Sequence, residues 1–492
     1  MAAALSFWYY SVSMYKDDHN SPGPPVRMKL FRDTLDGPEL KDLYRSIWYL
    51  SWPVFVAQGL RSVVLFISRA IVGQLGDQSF NSVNIGLMVF MIIITIIAAV
   101  AVGTTALVAQ YWGAGDRRKA GQVLQQSVMW GFLITVVIAV AGMPLTRLMF
   151  HVLDADQKTI TEGTEFIVWL FVALPLFAVG FFLAAGLRAA GDTRTPMWAG
   201  IVMSLLSVFF SYGLVLGKFG LPRMETRGAA LSIDITFFSF TVFLGVLFLA
   251  NKTVIKLPLR GWRLDIKTGL QIFKIGLPSA TEWILIQLGI LIYIFIIYRY
   301  GTEAAAGYFT GIALLNFAQA PAFGFQTAAA TLVGQAVGAK EVRRAESAFR
   351  HCALLAFGLM IIIGAGIFVV ATPDVLSRVF GKLSTASIDY ARTFAILLVF
   401  VMPLMGISFS TAGGLRGAGD TMAPLIASTI GVFLGRVLIA EIVYTLFHPP
   451  IFIIWFSMYP DLLMRIVIMA IRLKSGKWKR GKIIAAKEKQ VE

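Results

Sequence analysis

Apolar positions along this chain are gathered into twelve long stretches, which are separated by short polar connections. Each stretch holds about 20 residues or more, and a helix of that length crosses about 30 Å of hydrocarbon. Strands of a membrane barrel would be about half as long and would alternate in polarity, which these stretches do not. The pattern therefore predicts an all-α integral membrane protein with twelve transmembrane helices. The predicted spans are residues 48–73, 84–110, 121–143, 164–187, 196–216, 227–250, 271–298, 305–334, 347–371, 388–413, 422–446 and 450–472.

The composition agrees with this pattern, because 57% of the 492 residues are hydrophobic and only 14% are charged. Soluble domains carry about 25% charged residues, so this chain could not cover a water-facing surface. The net charge of +16 comes largely from Lys and Arg in the two tails and in the even-numbered connections. Such a bias marks the cytoplasmic side, so we predict a multi-pass protein of the cell (inner) membrane with both termini cytoplasmic. The basic residues on one membrane face also account for the charge without a nucleic acid partner.

The sequence contains an internal repeat that covers both halves of the chain. The segment LRAAGDTRTPM (Leu187–Met197) returns as LRGAGDTMAPL (Leu415–Leu425), 228 residues later. The segment VAQYWGAGDRRKA (Val108–Ala120) returns as VGQAVGAKEVRRA (Val333–Ala345), at an offset of 225. Each copy holds six spans, an even number, so the two copies enter the membrane from the same side. We therefore predict two six-helix lobes related by a pseudo-two-fold axis along the membrane normal. Two pairs of prolines keep the same spacing: Pro53 with Pro278, and Pro175 with Pro403.

The duplication sets the domain boundaries. We predict a cytoplasmic N-terminal tail, a first lobe, a cytoplasmic linker, a second lobe and a basic cytoplasmic tail, at residues 1–45, 46–250, 251–270, 271–472 and 473–492. Secondary transporters commonly use this plan, with the substrate path in the gap between the lobes. We expect a monomer whose partners are membrane lipid and small organic compounds.

Each copy of the LRxxGDT segment, which we call the hinge motif, offers the same four features. Its glycine permits positive φ, its aspartate can cap the following helix, its proline suits the first helical turn, and its arginine can reach the membrane interface. We predict that these residues fix the loop rather than touch substrate. They are Arg188, Gly191, Asp192 and Pro196 in the first copy, and Arg416, Gly419, Asp420 and Pro424 in the second.

The two hinge motifs resemble the paired LRGxGDTRxPM signature of the multidrug and toxic compound extrusion (MATE) family. The loops WGAGDRRKA and VGAKEVRRA resemble that family's GQxxGAxxxxxA segment, and Phe323–Ala339 and Gly276–Gly289 are similar to its eighth and seventh spans. The resemblance covers about residues 45–480. It implies a V-shaped pair of six-helix lobes that export organic cations and other amphipathic compounds, driven by inward flow of H⁺ or Na⁺. It implies no cofactor and no ATP site, and no GxxxxGK[ST] segment is present.

One departure from the family concerns the first span. The family's first span reads like VDxxxVGxLG, whereas this chain reads FISRAIVGQLG, with Ser68 where the acid would stand and Arg69 after it. A carboxylate at that position is missing from the first lobe. A family mechanism that protonates it therefore cannot be carried over to this chain.

Glu282 is the leading candidate for ion coupling or substrate contact. It lies about ten residues into the seventh span, roughly 15 Å deep, where an ionisable group is costly. Burial penalises its charged form, so the carboxyl group could take up and release protons during transport. The alternative is a carboxylate paired with a buried arginine for helix packing. Gln287 and Tyr293 lie on the same helix, and we expect Tyr293 beside the substrate.

Other polar residues within the spans are candidates for the wall of a cavity. Asp234 and Arg61 belong to one lobe and could form an ion pair, which would give them a structural role. The full set of cavity candidates is Gln58, Arg61, Ser68, Asn84, Asp234, Asn316, Gln319 and Gln326.

These observations favour a secondary active efflux transporter that exports amphipathic, cationic compounds in exchange for H⁺ or Na⁺. A related alternative is an exporter of lipid-linked or polysaccharide precursors, which should carry extra basic residues in its cavity; Arg61 is the only deep one in the first lobe. A membrane-embedded enzyme is less favoured, because no HExxH, GxSxG or histidine-rich cluster is present. The four histidines are scattered singly, so no metal site is expected.

Overall fold

The computed structural model describes residues 37–152, 157–258, 261–380 and 384–479, and within these ranges the ordered segments are helices. The predicted N-terminal tail up to residue 36 and the basic tail from residue 480 lie outside the described residues. The first six-helix lobe consists of α1 (Gly37–Val72), α2 (Asp77–Gly113), α3 (Arg117–Val152), α4 (Gln157–Ala189), α5 (Arg194–Leu216) and α6 (Glu225–Leu249).

The second lobe has the same six passes, but three of them are interrupted. Its helices are α7 (Ile266–Tyr298), α8 (Thr302–Ala318), α9 (Ala320–Gly338), α10 (Val342–Val370), α11 (Pro373–Phe380), α12 (Thr385–Gly417), α13 (Met422–Ile430), α14 (Ile439–Phe447), α15 (Ile451–Trp455) and α16 (Met458–Lys474). A π-helical segment, Gly431–Leu438, joins α13 to α14. Short 3₁₀ turns follow α1 and α16 at Gly73–Leu75 and Lys477–Lys479.

Within the described residues, eleven helical stretches are long and apolar enough to cross a membrane, judged by length and composition alone. The predicted eighth span, residues 305–334, is the exception, because it is divided into α8 and α9 at Gln319. Pro321 stands in the first turn of α9, where its missing N–H costs nothing. Together α8 and α9 cover the eighth pass and complete the predicted twelve.

Several helices extend beyond the predicted apolar stretches. The first span was expected to begin at residue 48, but α1 begins at Gly37. Its first turns carry polar residues on one side and bury Leu43 and Ile47 against the second lobe on the other. An average of hydropathy over all sides of a helix misses such an amphipathic end.

Small residues bring the helices of each lobe close together. Gly131 of α3 faces the ring of Phe182 on α4, and Gly311 of α8 faces the ring of Phe394 on α12. A Cβ atom at either glycine would overlap the ring. This is the expected packing in a membrane, where association depends on close contact of small residues with large neighbours.

The lobes meet at the end of the bundle that carries the two hinge motifs, which we call the hinge end. Gly113 of α2 packs on the backbone of Gln335 in α9, and Gly338 of α9 packs on the backbone of Gln110 in α2. Neither glycine has room for a side chain. Gly113 corresponds to Gly338 in the repeat, and Gln110 corresponds to Gln335. The two contacts are therefore equivalent when the lobes are interchanged, as a pseudo-two-fold axis requires.

Candidate functional site

The hinge motifs have the predicted backbone geometry. Gly191 and Gly419 have φ angles of 96° and 83°, in the left-handed region where a side chain would be strained. Pro196 and Pro424 lie in the first turns of α5 and α13. The glycines and prolines of both motifs therefore have the backbone conformations and positions that the sequence predicted.

The two hinge aspartates have different partners. Asp192 accepts hydrogen bonds from the backbone N–H of Thr195 at 2.9 Å and from its hydroxyl group at 2.6 Å, which caps α5 as predicted. Burial raises the pKa of Asp192, while the hydrogen bonds from Thr195 oppose that rise. Asp420 instead pairs with Nε of Arg472 on α16 at 2.5 Å, which ties the second hinge to the last helix. The predicted cap of α13 by Asp420 is therefore wrong, because the carboxylate is held by Arg472.

Two glutamines clasp the lobes together across the hinge end. Nε2 of Gln110 donates to the carbonyl of Gly417 at 3.0 Å, and Nε2 of Gln335 donates to the carbonyl of Ala189 at 2.9 Å. Gly417 and Ala189 are the last residues of α12 and α4, so their carbonyls have no partner within the helix. The hydroxyl group of Thr331 also donates to the carbonyl of Arg188, at 3.0 Å.

These glutamine clasps were not predicted. The sequence feature that could have indicated them is a glutamine at the same position in both copies of the repeat, Gln110 and Gln335. Each precedes the loop that resembles the family's GQxxGAxxxxxA segment. The bonds are reciprocal, since each lobe donates a glutamine and accepts at its hinge motif. The hinge end of this conformation is therefore closed by a symmetric pair of interlobe hydrogen bonds.

Glu282 is buried and paired. Its Oε2 atom lies 2.8 Å from Nη2 of Arg416, and its Oε1 atom accepts a hydrogen bond from Ser428 at 2.8 Å. The side chains of Glu282 and Arg416 are 2% and 10% exposed. The pairing with a buried arginine, which the sequence left as the alternative, is thus present. The expectation that Arg416 reaches the membrane interface is wrong, because the carboxylate attracts it inward.

A second buried carboxylate extends this arrangement into a network. Asp461 is 0% exposed and pairs with Nε of Arg465 at 2.6 Å and Nη2 of Arg436 at 2.7 Å. Nη1 of Arg465 donates to Ser428 at 3.4 Å, which connects Asp461 to Glu282. The second-lobe network, as we call it, contains three guanidinium groups and two carboxylates. Its net charge is positive, which does not favour a cation nearby.

The local sequence shapes this network. Gly431 and Gly435 lie against Asp461, and a Cβ atom at Gly435 would come within 2.7 Å of the Asp461 backbone. Both glycines belong to the π-helical segment that carries Arg436. Such segments are frequent at functional sites. The sequence signal that we missed was the pair Asp461 and Arg465, which are one turn apart on a helix.

The first lobe contains no matching network among its described residues. Arg61 is exposed and makes no hydrogen bond or ion pair with any described residue. Arg188 is half-buried and likewise has no carboxylate partner there. The Oδ1 atom of Asp234 is buried without a hydrogen-bond donor among the described residues. The predicted ion pair between Arg61 and Asp234 is therefore wrong, because α1 packs chiefly on α5 and α9 and scarcely touches α6.

The remaining candidates are not gathered in one place. Tyr293 was expected beside the substrate, but it is 0% exposed and donates to the carbonyl of Ile454 at 3.0 Å, inside the core of the second lobe. Gln287 is exposed and lies five residues after Glu282, so it points from another side of α7. At the break in the eighth span, Gln319 donates to Asn316 at 2.8 Å. The other candidates are half-buried: Gln58, Ser68, Asn84 and Gln326.

Two like-oriented six-helix lobes, joined at the hinge end by reciprocal hydrogen bonds, define a membrane transporter of the duplicated two-lobe class. The MatE family model matches residues 53–213 and residues 278–440, one match in each lobe. The chain therefore belongs to the multidrug and toxic compound extrusion (MATE) family of transporters. The starts of the two matches differ by 225 residues, which is the offset of the repeat.

Known relatives and solved structures agree with this family. The chain is 26% identical over 462 residues to the "Probable multidrug resistance protein NorM" of Thermotoga maritima, covering 93% of this chain and 98% of that protein. A MOP superfamily transporter from Pyrococcus furiosus, described as having a binding pocket of reverse polarity, superimposes with a TM-score of 0.83 at 20% identity, covering 91% of this chain and 100% of that chain. The eukaryotic MATE transporter AtDTX14 superimposes with a TM-score of 0.77 at 19% identity, covering 91% and 99%.

Proposed function

We propose that this protein is a secondary active multidrug efflux transporter that exports amphipathic compounds in exchange for H⁺ or Na⁺. The proposal places it in the cell (inner) membrane as a monomer, with both termini cytoplasmic, and assigns it no catalytic role. The observation that carries the proposal is the symmetric pair of glutamine clasps, which close one end of a two-lobe bundle. The names of the multidrug resistance relatives support the substrate class.

Transport in this proposal requires the lobes to rock about the gap between them. The clasps join Gln110 to Gly417 and Gln335 to Ala189, so opening the hinge end breaks these two hydrogen bonds and also the one from Thr331 to Arg188. Each bond contributes roughly 0.5–1.5 kcal/mol. A barrier of this size can be overcome by ligand or ion binding, while it still holds the empty transporter closed at that end.

Glu282 couples ion binding to this movement. A proton or Na⁺ competes with Arg416 for the carboxylate, since each can neutralise it. Arg416 directly precedes Gly417, whose carbonyl is held by Gln110. Release of Arg416 therefore loosens the end of α12 where the clasp is attached. Ion binding in the second lobe is in this way linked to opening at the hinge end.

The charge of the substrate is a separate question. The sequence favours cationic compounds, in part because a buried acid could bind them. Glu282 is 2% exposed and already paired with Arg416, so direct competition between a cationic substrate and a proton would first require that pair to break. Export of cations stays a prediction to be tested by efflux.

One observation favours the second candidate, an exporter of lipid-linked or polysaccharide precursors. Such a protein needs basic residues for phosphate, and Arg61 and Arg188 of the first lobe have no carboxylate partner among the described residues. A lipid-flipping assay in vesicles, compared with a drug-resistance assay in cells, separates the two functions.

The proposal is tested by efflux of a cationic dye from vesicles that contain the purified protein, under separately imposed proton and sodium gradients. We expect one gradient to drive efflux and Glu282→Gln to abolish that response while the protein still folds. The matched control is Glu441→Gln, which removes an exposed carboxylate of the same lobe that pairs with Arg299 at 2.8 Å. Efflux by the Glu282→Gln variant with an unchanged ion response would exclude Glu282 from coupling. No movement of any compound under either gradient would contradict the proposed function.

A further inference from the structure

The repeat places the same arginine in both lobes but gives it an acid in only one. Arg416 of the second lobe corresponds to Arg188 of the first, at the offset of the hinge motifs. Its partner Glu282 corresponds to Ala57, at the offset that relates Pro53 to Pro278. The carboxylate that neutralises Arg416 at 2.8 Å therefore has a methyl group at its corresponding position in the first lobe.

The first lobe has a further arginine one helical turn from the position of the missing acid. Arg61 follows Ala57 by four residues, so it lies one turn further along the same side of α1. It is exposed, and it has no hydrogen-bond or ion-pair partner among the described residues. The first lobe therefore lacks the acid of the second lobe and has an additional arginine one helical turn from that position.

α1 also contacts the second lobe. Gly324 of α9 packs against the carbonyl of Ser51, and a Cβ atom at Gly324 would lie 2.7 Å from it. Gln58 follows Ser51 by two helical turns, and Arg61 follows Gln58 by three residues. Gln58 therefore shares the side of α1 that contacts the second lobe, and Arg61 lies about one turn further along the helix.

Arg61 lies within a membrane-spanning segment, where an unpaired guanidinium group is costly and marks a site of function, and Arg188 lies in the last turn of α4 at the hinge end. The nearest acid by sequence reasoning, Asp234, does not serve as their counter-ion, because it forms no ion pair with either arginine. A guanidinium group binds carboxylate, sulfonate or phosphate through two parallel hydrogen bonds. An oxyanion is thus the ligand that these two side chains fit.

We propose that Arg61 and Arg188 form a binding site in the first lobe for the oxyanion group of an amphipathic compound. The inference rests on the proposed function in treating this compound as a transported substrate. The two acids of the second-lobe network are already paired with arginines. The shared chemistry covers a soluble organic anion and the phosphate of a lipid headgroup.

The test compares two ligands of equal shape and opposite charge, naphthalene-1-sulfonate and 1-naphthyltrimethylammonium. Binding to the full-length protein in phosphatidylcholine nanodiscs is measured by equilibrium dialysis. We expect the sulfonate to bind more tightly and Arg61→Gln to weaken it by about tenfold or more, the loss that follows removal of a charge-assisted hydrogen bond. Arg61→Lys should retain part of the affinity. The control Arg69→Gln removes an exposed arginine further along α1 and should leave both affinities unchanged.

A second variant tests the repeat directly. Ala57→Glu places in the first lobe the acid that the second lobe has at Glu282, so it should pair with Arg188 and also weaken sulfonate binding by about tenfold. This variant copies an arrangement that the fold already contains, so a loss caused only by misfolding can be recognised from its melting temperature. Unchanged sulfonate affinity in both Arg61→Gln and Ala57→Glu would overturn the proposal. Equal losses for the sulfonate and the ammonium ligand would overturn it as well.

The source of the oxyanion is resolved by adding phosphatidylglycerol to the nanodiscs. If this lipid competes with the sulfonate, the site binds a headgroup phosphate. If it does not compete, the site binds soluble anions. Both outcomes require the two arginines. Failure of the site and failure of the proposed function are distinguishable. Ion-driven efflux of a cationic dye without sulfonate binding removes the site alone, whereas sulfonate binding without any ion-driven efflux removes the proposed function alone.

Discussion

The two lobes share one architecture but differ in how the charged residues within them are paired. In the second lobe, Glu282 and Asp461 are both paired with arginines at 2.6–2.8 Å. In the first lobe, Arg61, Arg188 and Asp234 have no ion-pair partners among the described residues. The shared part is the hinge end, where both lobes use the same glycines, prolines and glutamine clasps. Since the duplication, the hinge end has therefore been preserved, while the charged residues elsewhere in the lobes have diverged.

This difference gives each lobe a distinct part in the proposed function. A paired network can respond to an ion, because protonation of one carboxylate changes the partner of an arginine. Unpaired arginines can instead respond to a ligand that brings its own negative charge. The comparison predicts that charge removal in the second lobe affects stability, and that charge removal in the first lobe affects binding.

The largest effect is expected from Asp461→Ala. Its carboxylate is 0% exposed and holds Arg436 and Arg465, so its loss leaves two buried guanidinium groups without their acid. Breaking such an arrangement costs about 3–5 kcal/mol. The free energy of unfolding, measured in mixed micelles titrated with dodecyl sulfate, should fall by that amount.

The matched control in the first lobe is Asp234→Ala. Asp234 has no ion pair to lose among the described residues, so we expect a change of at most about 1 kcal/mol, in either direction. An equal loss for both variants would contradict the comparison, because it would mean that the acid of the first lobe is held as firmly as that of the second.

A smaller effect is expected from the clasps, where the lobes should behave alike. Gln110→Ala and Gln335→Ala each remove one hydrogen bond of 3.0 or 2.9 Å and leave a helix-terminal carbonyl without its donor. The cost is about 1 kcal/mol, which shifts the population that is closed at the hinge end by about fivefold. Distances between spin labels placed across the hinge end report this population. The two variants should give similar shifts, and a shift from only one of them would show that the clasps are not equivalent.

Part of this molecule could be predicted from its sequence because the relevant signals are local or repeated. Hydropathy located the spans, and the repeat located hinge loops in which Gly191 and Gly419 adopt positive φ. The sequence predicts the eighth span as one helix, because a run of apolar residues does not show that a new helix begins at Ala320, with Pro321 in its first turn.

The charge partners could not be predicted, because they depend on contacts between distant positions. Glu282 and Arg416 are 134 residues apart, and Gln110 and Gly417 are 307 apart. The same holds for Tyr293. A tyrosine within a span was predicted to lie beside the substrate, but in the fold its hydroxyl group donates to the carbonyl of Ile454. Burial of a polar group is satisfied by whichever partner the packing brings near.

The smallest expected effect separates the two hinge aspartates, which have the same sequence context and different partners. Asparagine caps a helix as well as aspartate does, so Asp192→Asn should keep the hydrogen bond to Thr195 and change the free energy of unfolding by less than about 0.5 kcal/mol. Asp420→Asn removes the negative charge that faces Arg472, whose side chain is 34% exposed, and should cost up to about 1 kcal/mol. Only the second loss should shrink as salt is added, because salt screens a partly exposed ion pair and leaves a helix cap unaffected. Unfolding titrations of both variants at low and high ionic strength check this, and a salt-dependent loss for Asp192→Asn would show that the first hinge also depends on charge.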